Sequence, residues 1–328
     1  MQAVRVEIPR ETVVRRYMSL NIFQKLIESS SLYFSRFTSF DDHLEGGITK
    51  KNYSSISNSL EVFDLAMNRQ WPAANGSRTD SDDQSKLFNA TFPSLFGEQK
   101  KLDGDAYLKN VRSWLYASCW TDIPHECLAM WQLYGSSGAN CRHENYCIEC
   151  NESVGRSICI ETTIGAILDN LEIDESYNLM ARKIDYIDHR SVSFEDEDLA
   201  FKPFFSKALH FSYEHEVRFM LWPNRKDIEF SYKYKQSTQN SQLSVSLPIR
   251  DINSFIGRII LSPLPPKAQM QIVAKHHEKY STNLGLSDSL SNTRLRESVD
   301  SILLKHGLKA DVVDSDLNQT AFSDCYSL

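Results

Sequence analysis

The chain has 328 residues, with 36 Lys+Arg against 43 Asp+Glu and a formal net charge of −7, so no global basic field draws it to nucleic acid or to an anionic membrane. At about 150 residues per domain this length gives ample material for a real hydrophobic core. The composition is 41% hydrophobic with 17 Phe, 14 Tyr and 5 Trp, and only 12 Gly and 10 Pro, which excludes disordered, collagen-like and low-complexity classes.

Residues 1–30 lack a basic segment followed by an unbroken apolar one, and no run of about 18 apolar residues occurs anywhere. A cytoplasmic protein that does not enter the membrane is the expectation. Seven cysteines, an odd number without a secretion signal, read as thiols or metal ligands in a reducing compartment rather than as a disulfide framework.

Thr12 to Ser19 is β-branched at its start and leads into a short amphipathic helix, because Leu20, Phe23, Leu26 and Ile27 recur at helical spacing. Ser31 to Phe37 has strand propensity and Phe40 to Gly47 reads as an acidic turn. Residues 48–110 look helical but interrupted, with an exposed excursion near 70–105. Val111 to Trp120 suits a buried strand, and His125 to Tyr134 a helix ended by Gly135. Strands are expected at Ser157–Glu161, Ala181–Ile187, Glu216–Trp222, Ile256–Pro263 and Ala310–Val313. Helices are expected at Ile164–Leu171, Leu199–Leu209, Gln269–Tyr280 and Arg294–His306. The sum is one α+β domain over 1–328, a single mixed β-sheet with surrounding helices rather than regular βαβ alternation.

Signatures of dinucleotide-binding dehydrogenases, P-loop NTPases, α/β-hydrolases and zincins are absent. Four clusters remain. Arg15, Arg16 and Arg36 carry guanidinium forks suited to phosphate or carboxylate, or to pairing with the acidic turn of Asp41, Asp42 and Glu45. In a strand Glu214, Glu216 and Arg218 share a face, so Glu216 is either half of a surface ion pair or a buried carboxylate that orients a hydroxyl or stabilises positive charge. Cys141, Cys147 and Cys150 with His143 make a ligand set for a structural zinc, while free thiols and a redox pair stay open. Trp120, Trp131 and Tyr134 read as core aromatics or as a stacking platform for a ring.

Six ordered segments, Arg16–Leu20 (RYMSL), Leu32–Arg36 (LYFSR) with Phe40–Asp42 and Glu45–Gly46, Ser118–Trp120 (SCW), Met130–Gly135 (MWQLYG), Tyr213–Arg218 (YEHEVR) and Ile260–Pro263 (ILSP), resemble the motifs of an uncharacterised bacterial family. It is catalogued as domain of unknown function twenty-nine seventy-one. The resemblance runs from about residue 13 to 315. Two departures stand out: residues 140–155, with the cysteines, look like an insertion, and the family's Asn-Asp-Pro-x-Glu turn lacks its proline between Phe40 and Glu45.

More distantly, Arg16-Tyr17, the helix after it, the strand Leu32–Arg36 and a late Glu216 resemble the layout of ADP-ribosyltransferases. That likeness implies a split sheet of that type, with NAD as substrate held by Arg16, and with Tyr17 and Ser35 lining the nicotinamide site. Arg36 and Trp131 join the same cofactor-binding set, and Glu216 is the catalytic residue it implies. The expected function is then an NAD-consuming transferase or glycohydrolase, a bacterial toxin or phage-defence effector acting on an unidentified nucleic-acid or protein acceptor. A regulatory or antitoxin-like partner would restrain it, docking on 70–105 or 140–155. Two alternatives stay open: a non-catalytic binding module, and a metal-dependent nuclease using Asp41, Asp42, Glu45 and Glu216, since clustered carboxylates hold Mg²⁺.

Overall fold

A computed structural model describes residues 4–40, 42, 45–68, 85–135, 157–225, 227–231, 239–263 and 293–318. The cysteine-rich segment, the first part of the excursion and the helix expected at Gln269–Tyr280 lie outside them. Two compact units emerge, one of Met1–Glu7, Tyr33–Ser118 and Ile173–Ser246, the other of Ile8–Leu32, Cys119–Glu172 and Leu247–Leu328. The chain is α+β, its strands paired both parallel and antiparallel and accompanied by helices.

In chain order the strands are β1 (Val4–Val6), β2 (Val13–Ser19), β3 (Ser31–Arg36), β4 (Thr91–Ser94), β5 (Gly97–Lys100), β6 (Tyr116–Thr121) and β7 (Ser157–Thr163). They continue as β8 (Tyr177–Lys183), β9 (Asp185–Ile187), β10 (Ser206–Ala208), β11 (Glu216–Pro223), β12 (Ser244–Pro248), β13 (Arg258–Leu261) and β14 (Asp311–Val313).

In the unit containing Tyr33–Ser118, β1 lies parallel to β8, with Val4 opposite Leu179, and β8 pairs antiparallel with β11 from Tyr177↔Pro223 to Lys183↔Val217. Ser35 on β3 faces Ala117 on β6. β9 and β10 form a short parallel ribbon, Ser206 opposite Asp185. β4 and β5 make a hairpin closed through Gly97 at φ +91°. Residues 48–110 read as helical from sequence, so this hairpin is an addition. The helix expected over Leu199–Leu209 is instead a 3₁₀ turn, Lys202–Phe205, followed by β10. Pro203 supplies no N–H there, and strand pairing with β9 takes the residues that helical continuation would have used.

In the other unit β2 pairs with β7 over seven residues, Val13↔Thr163 to Ser19↔Ser157. β7 pairs antiparallel with β13, and β13 parallel with β14. The helix Leu20–Ser29 is capped by the Ser19 side chain and buries Phe23, Leu26 and Ile27, the stripe its spacing predicts. Thr163 likewise caps Ile164–Asn170 through the Ala166 amide. No helix among the described residues is long and apolar enough to cross a membrane.

Candidate functional site

β11 is buried along its whole length. A strand covered on both faces is normally apolar throughout, and Val217, Phe219, Met220, Leu221 and Trp222 obey that rule. Glu216 and Arg218 break it, at 5% and 0% exposure. They share a face by the two-residue period of a strand, and Arg218 Nε donates to Glu216 Oε1 at 2.7 Å. The surface ion pair considered from sequence is therefore a buried one, and desolvated charge must be matched by partners.

Those partners come from three further segments. Lys207 on β10 sends its ammonium to Glu214 Oε2 (2.7 Å), Glu45 Oε1 (3.0 Å) and Glu216 Oε2 (3.5 Å). Glu214 ends the 3₁₀ turn Leu209–Glu214, and His215, left-handed at φ +44°, closes that turn before β11 begins. Glu45 sits in the turn after β3, and its Oε1 also meets Arg218 Nη2 at 3.2 Å. All five side chains are buried. Among the described residues the cluster sets three carboxylates against two cations. Glu45 Oε2 is buried, and among the described residues no hydrogen-bond donor reaches it.

Aromatic rings and backbone groups enclose the cluster. Phe37 and Phe40, delivered by the exit of β3, lie 5.2 and 5.9 Å from the Arg218 guanidinium, and Phe211 lies 4.6 Å from the Lys207 ammonium. Arg218 Nη1 donates to the Phe204 carbonyl at 2.8 Å. The Glu216 amide donates to Tyr186 Oη at 2.8 Å. Burial raises the Tyr186 phenol and the neighbouring Glu216 and Glu214 charges add to it, against that amide bond. Burial alone would lower the Lys207 ammonium, but Glu216, Glu45 and Glu214 outweigh it and hold it above its ordinary value. The result is a buried carboxylate whose Oε1 is held by Arg218 and whose Oε2 faces Lys207.

The remaining sequence candidates fall as follows. Ser35 is half-buried on β3 opposite Ala117. Arg36 donates to Thr38 Oγ1 (2.7 Å) and to the carbonyls of Asn240 (3.1 Å) and Gln242 (3.4 Å), so it anchors a backbone segment rather than the acidic turn. The turn is held by Lys207 and Arg218 through Glu45, and by Arg112, which reaches the Asp42 carbonyl at 3.4 Å.

In the other unit Arg15 is ion-paired to Glu161 at 2.6 Å and also donates to the Ile123 carbonyl. Arg16 lies 5.8 Å from the Trp120 ring, and burial lowers its pKa. Tyr17 accepts the Cys127 amide at 3.2 Å, and its ring meets Trp131 edge-on, centroids 4.8 Å apart. Trp131 Nε1 donates to Glu126. Tyr17 and Trp131 thus sit in one buried cluster with Ile123, Met130, Cys159 and Ile260.

Cys141, His143, Cys147 and Cys150 lie outside the described residues. Among the described residues no group of three His, Cys, Asp or Glu side chains is arranged to hold a metal ion. Glu45 and Glu216, two of the carboxylates considered for Mg²⁺, converge instead on an ammonium and a guanidinium. In the sequence Lys207 falls inside the helix expected over Leu199–Leu209. Its one signal is a lone cation in the run Pro203–Leu209, beside Phe204, Phe205 and Leu209.

No protein-family model matches the chain, so the comparisons do not bear out the resemblance to the uncharacterised bacterial family. No curated protein matches either. Among solved structures the chain is similar to DarT of Thermus sp. 2.9 in complex with ADP-ribosylated ssDNA, at 9% identity, over 96% of this chain and 97% of that one, with a TM-score of 0.32.

Proposed function

We propose that the chain is an NAD-consuming transferase or glycohydrolase of the ADP-ribosyl type, with Glu216 as its catalytic carboxylate. One observation carries this reading. A strand-borne glutamate is buried with its Oε1 held by Arg218 at 2.7 Å and its Oε2 facing Lys207 at 3.5 Å, in a cluster of three carboxylates and two cations among the described residues.

In the reaction the bond between the ribose C1′ and the nicotinamide nitrogen breaks, and its electron pair goes to the ring and neutralises the pyridinium. The sugar becomes oxocarbenium-like, and an acceptor group or water attacks C1′ and loses a proton. A carboxylate fixed before the reaction begins stabilises that sugar cation without reorganising. Ser35, half-buried on β3, is the residue of this unit proposed to line the nicotinamide site.

The test is nicotinamide release from NAD by the purified protein, with and without nucleic acid and cell lysate, beside a Glu216→Gln variant of matched stability. Release that Glu216→Gln lowers by at least about 100-fold, the range in which a single electrostatic stabiliser acts, supports the reading. No release and no NAD-dependent thermal shift under any condition removes it, and the buried cluster is then a device of the fold alone.

A further inference from the structure

We propose that Lys207 and Glu214 are positioning residues that set the ionisation of Glu216 in opposite directions. The role rests on the reading of Glu216 as the catalytic carboxylate, while the titration it describes can be measured without that reading.

Among the described residues, five ionisable side chains stand around Glu216. Arg218 on its own strand fixes Oε1 at 2.7 Å. Lys207 on β10 stands 3.5 Å from Oε2. Glu214 and Glu45 share cations with Glu216, Glu214 through Lys207 at 2.7 Å and Glu45 through Lys207 at 3.0 Å and Arg218 at 3.2 Å. Tyr186 on β9 touches the Glu216 backbone amide.

Geometry divides the labour. Arg218 supplies a directed hydrogen bond and so orients the carboxylate. Lys207, further away and shared among three acids, acts chiefly through its charge. Its closest contact is with Glu214, which draws the ammonium away from Glu216. Groups this close titrate as a unit, and removing one member shifts the others by its sign. A neighbouring opposite charge is worth about 1–3 pH units to a carboxylate. Without the ammonium Glu216 takes up a proton more easily; without the Glu214 charge the ammonium serves Glu216 more fully and the proton leaves more easily. A side chain that merely fills space gives no such reversal of sign.

The experiment is a pH titration of the glutamate carboxyl carbons by ¹³C NMR, with the Glu216 signal assigned by its loss in Glu216→Gln. The acid limb of nicotinamide release is measured in parallel. Lys207→Met is expected to move the Glu216 midpoint up by about 1–3 units and Glu214→Gln to move it down, while Lys207→Arg stays near the parent. Shifts of the same sign in Lys207→Met and Glu214→Gln, or no shift in either, overturn the proposal. If Lys207→Met does not fold, Glu214→Gln decides alone, and a midpoint that stays in place or rises overturns the proposal. Opposite shifts in a protein that releases no nicotinamide uphold this inference and remove the enzymatic reading. Release that depends on Glu216, with coincident midpoints in all variants, does the reverse.

Discussion

Replacing Arg218 by methionine tests whether the buried cluster is ion-paired in the folded protein. Methionine keeps much of the length and loses the charge. Arg218 is fully buried, so solvent screening offers no discount. Its loss strips Glu216 Oε1 of a 2.7 Å bond, Glu45 Oε1 of a 3.2 Å contact and the Phe204 carbonyl of a 2.8 Å bond. Breaking a buried pair from one side costs about 3–5 kcal/mol, because a charge is left uncompensated. At about 2–4 °C per kcal/mol in a domain of 150–250 residues, the melting midpoint falls by about 6–20 °C. Urea unfolding followed by circular dichroism measures the loss in free energy, and a thermal melt measures the fall in midpoint. The control is Arg225→Met, whose 2.5 Å bridge to Asp227 is exposed and whose removal leaves stability unchanged. A loss under about 1 kcal/mol for Arg218→Met, within the range of surface pairs, refutes the reasoning.

Other outcomes follow from local geometry. Gly46 and Gly97 both hold left-handed backbone, at φ +73° and +91°, but a Cβ on Gly46 meets the Phe204 ring at 3.0 Å while one on Gly97 meets nothing within 4 Å. Both alanine variants therefore lose the backbone term of about 1–2 kcal/mol, and Gly46→Ala loses more; equal losses in chemical denaturation count against this packing of the Glu45 turn. Burial raises the Tyr107 phenol, against an opposing backbone hydrogen bond from Leu95. The folded state thus keeps a proton that the unfolded chain releases near pH 10, so stability present below about pH 10 is lost as pH rises beyond it. Tyr107→Phe flattens that decline between pH 9.5 and pH 11.5 in urea titrations, and an unchanged slope shows that Tyr107 is not its source.

Much of the local structure was legible in the chain. The stripe Leu20, Phe23, Leu26 and Ile27 foretold its helix, Thr163 foretold a cap, and the strands at 157, 216 and 258 announced themselves by apolar and β-branched runs. These are short-range signals, in which each residue's preference concerns neighbours within one turn or one pleat. The run Lys202–Ala208 has a helical composition that yields to pairing of its end with β9, a partner about 20 residues away. Sequence also placed Glu216 beside Arg218, since the strand period alone puts them on one face.

What only the tertiary structure decided was the environment of that pair. Whether Glu216 faced water or the interior depended on β11 being covered on both faces. Whether it had one cation or two depended on Lys207 arriving from β10, and the charge balance depended on Glu45 returning from a turn some 170 residues earlier. Electrostatic energy is set by distance through space and by the surrounding dielectric, and spacing along the chain encodes neither.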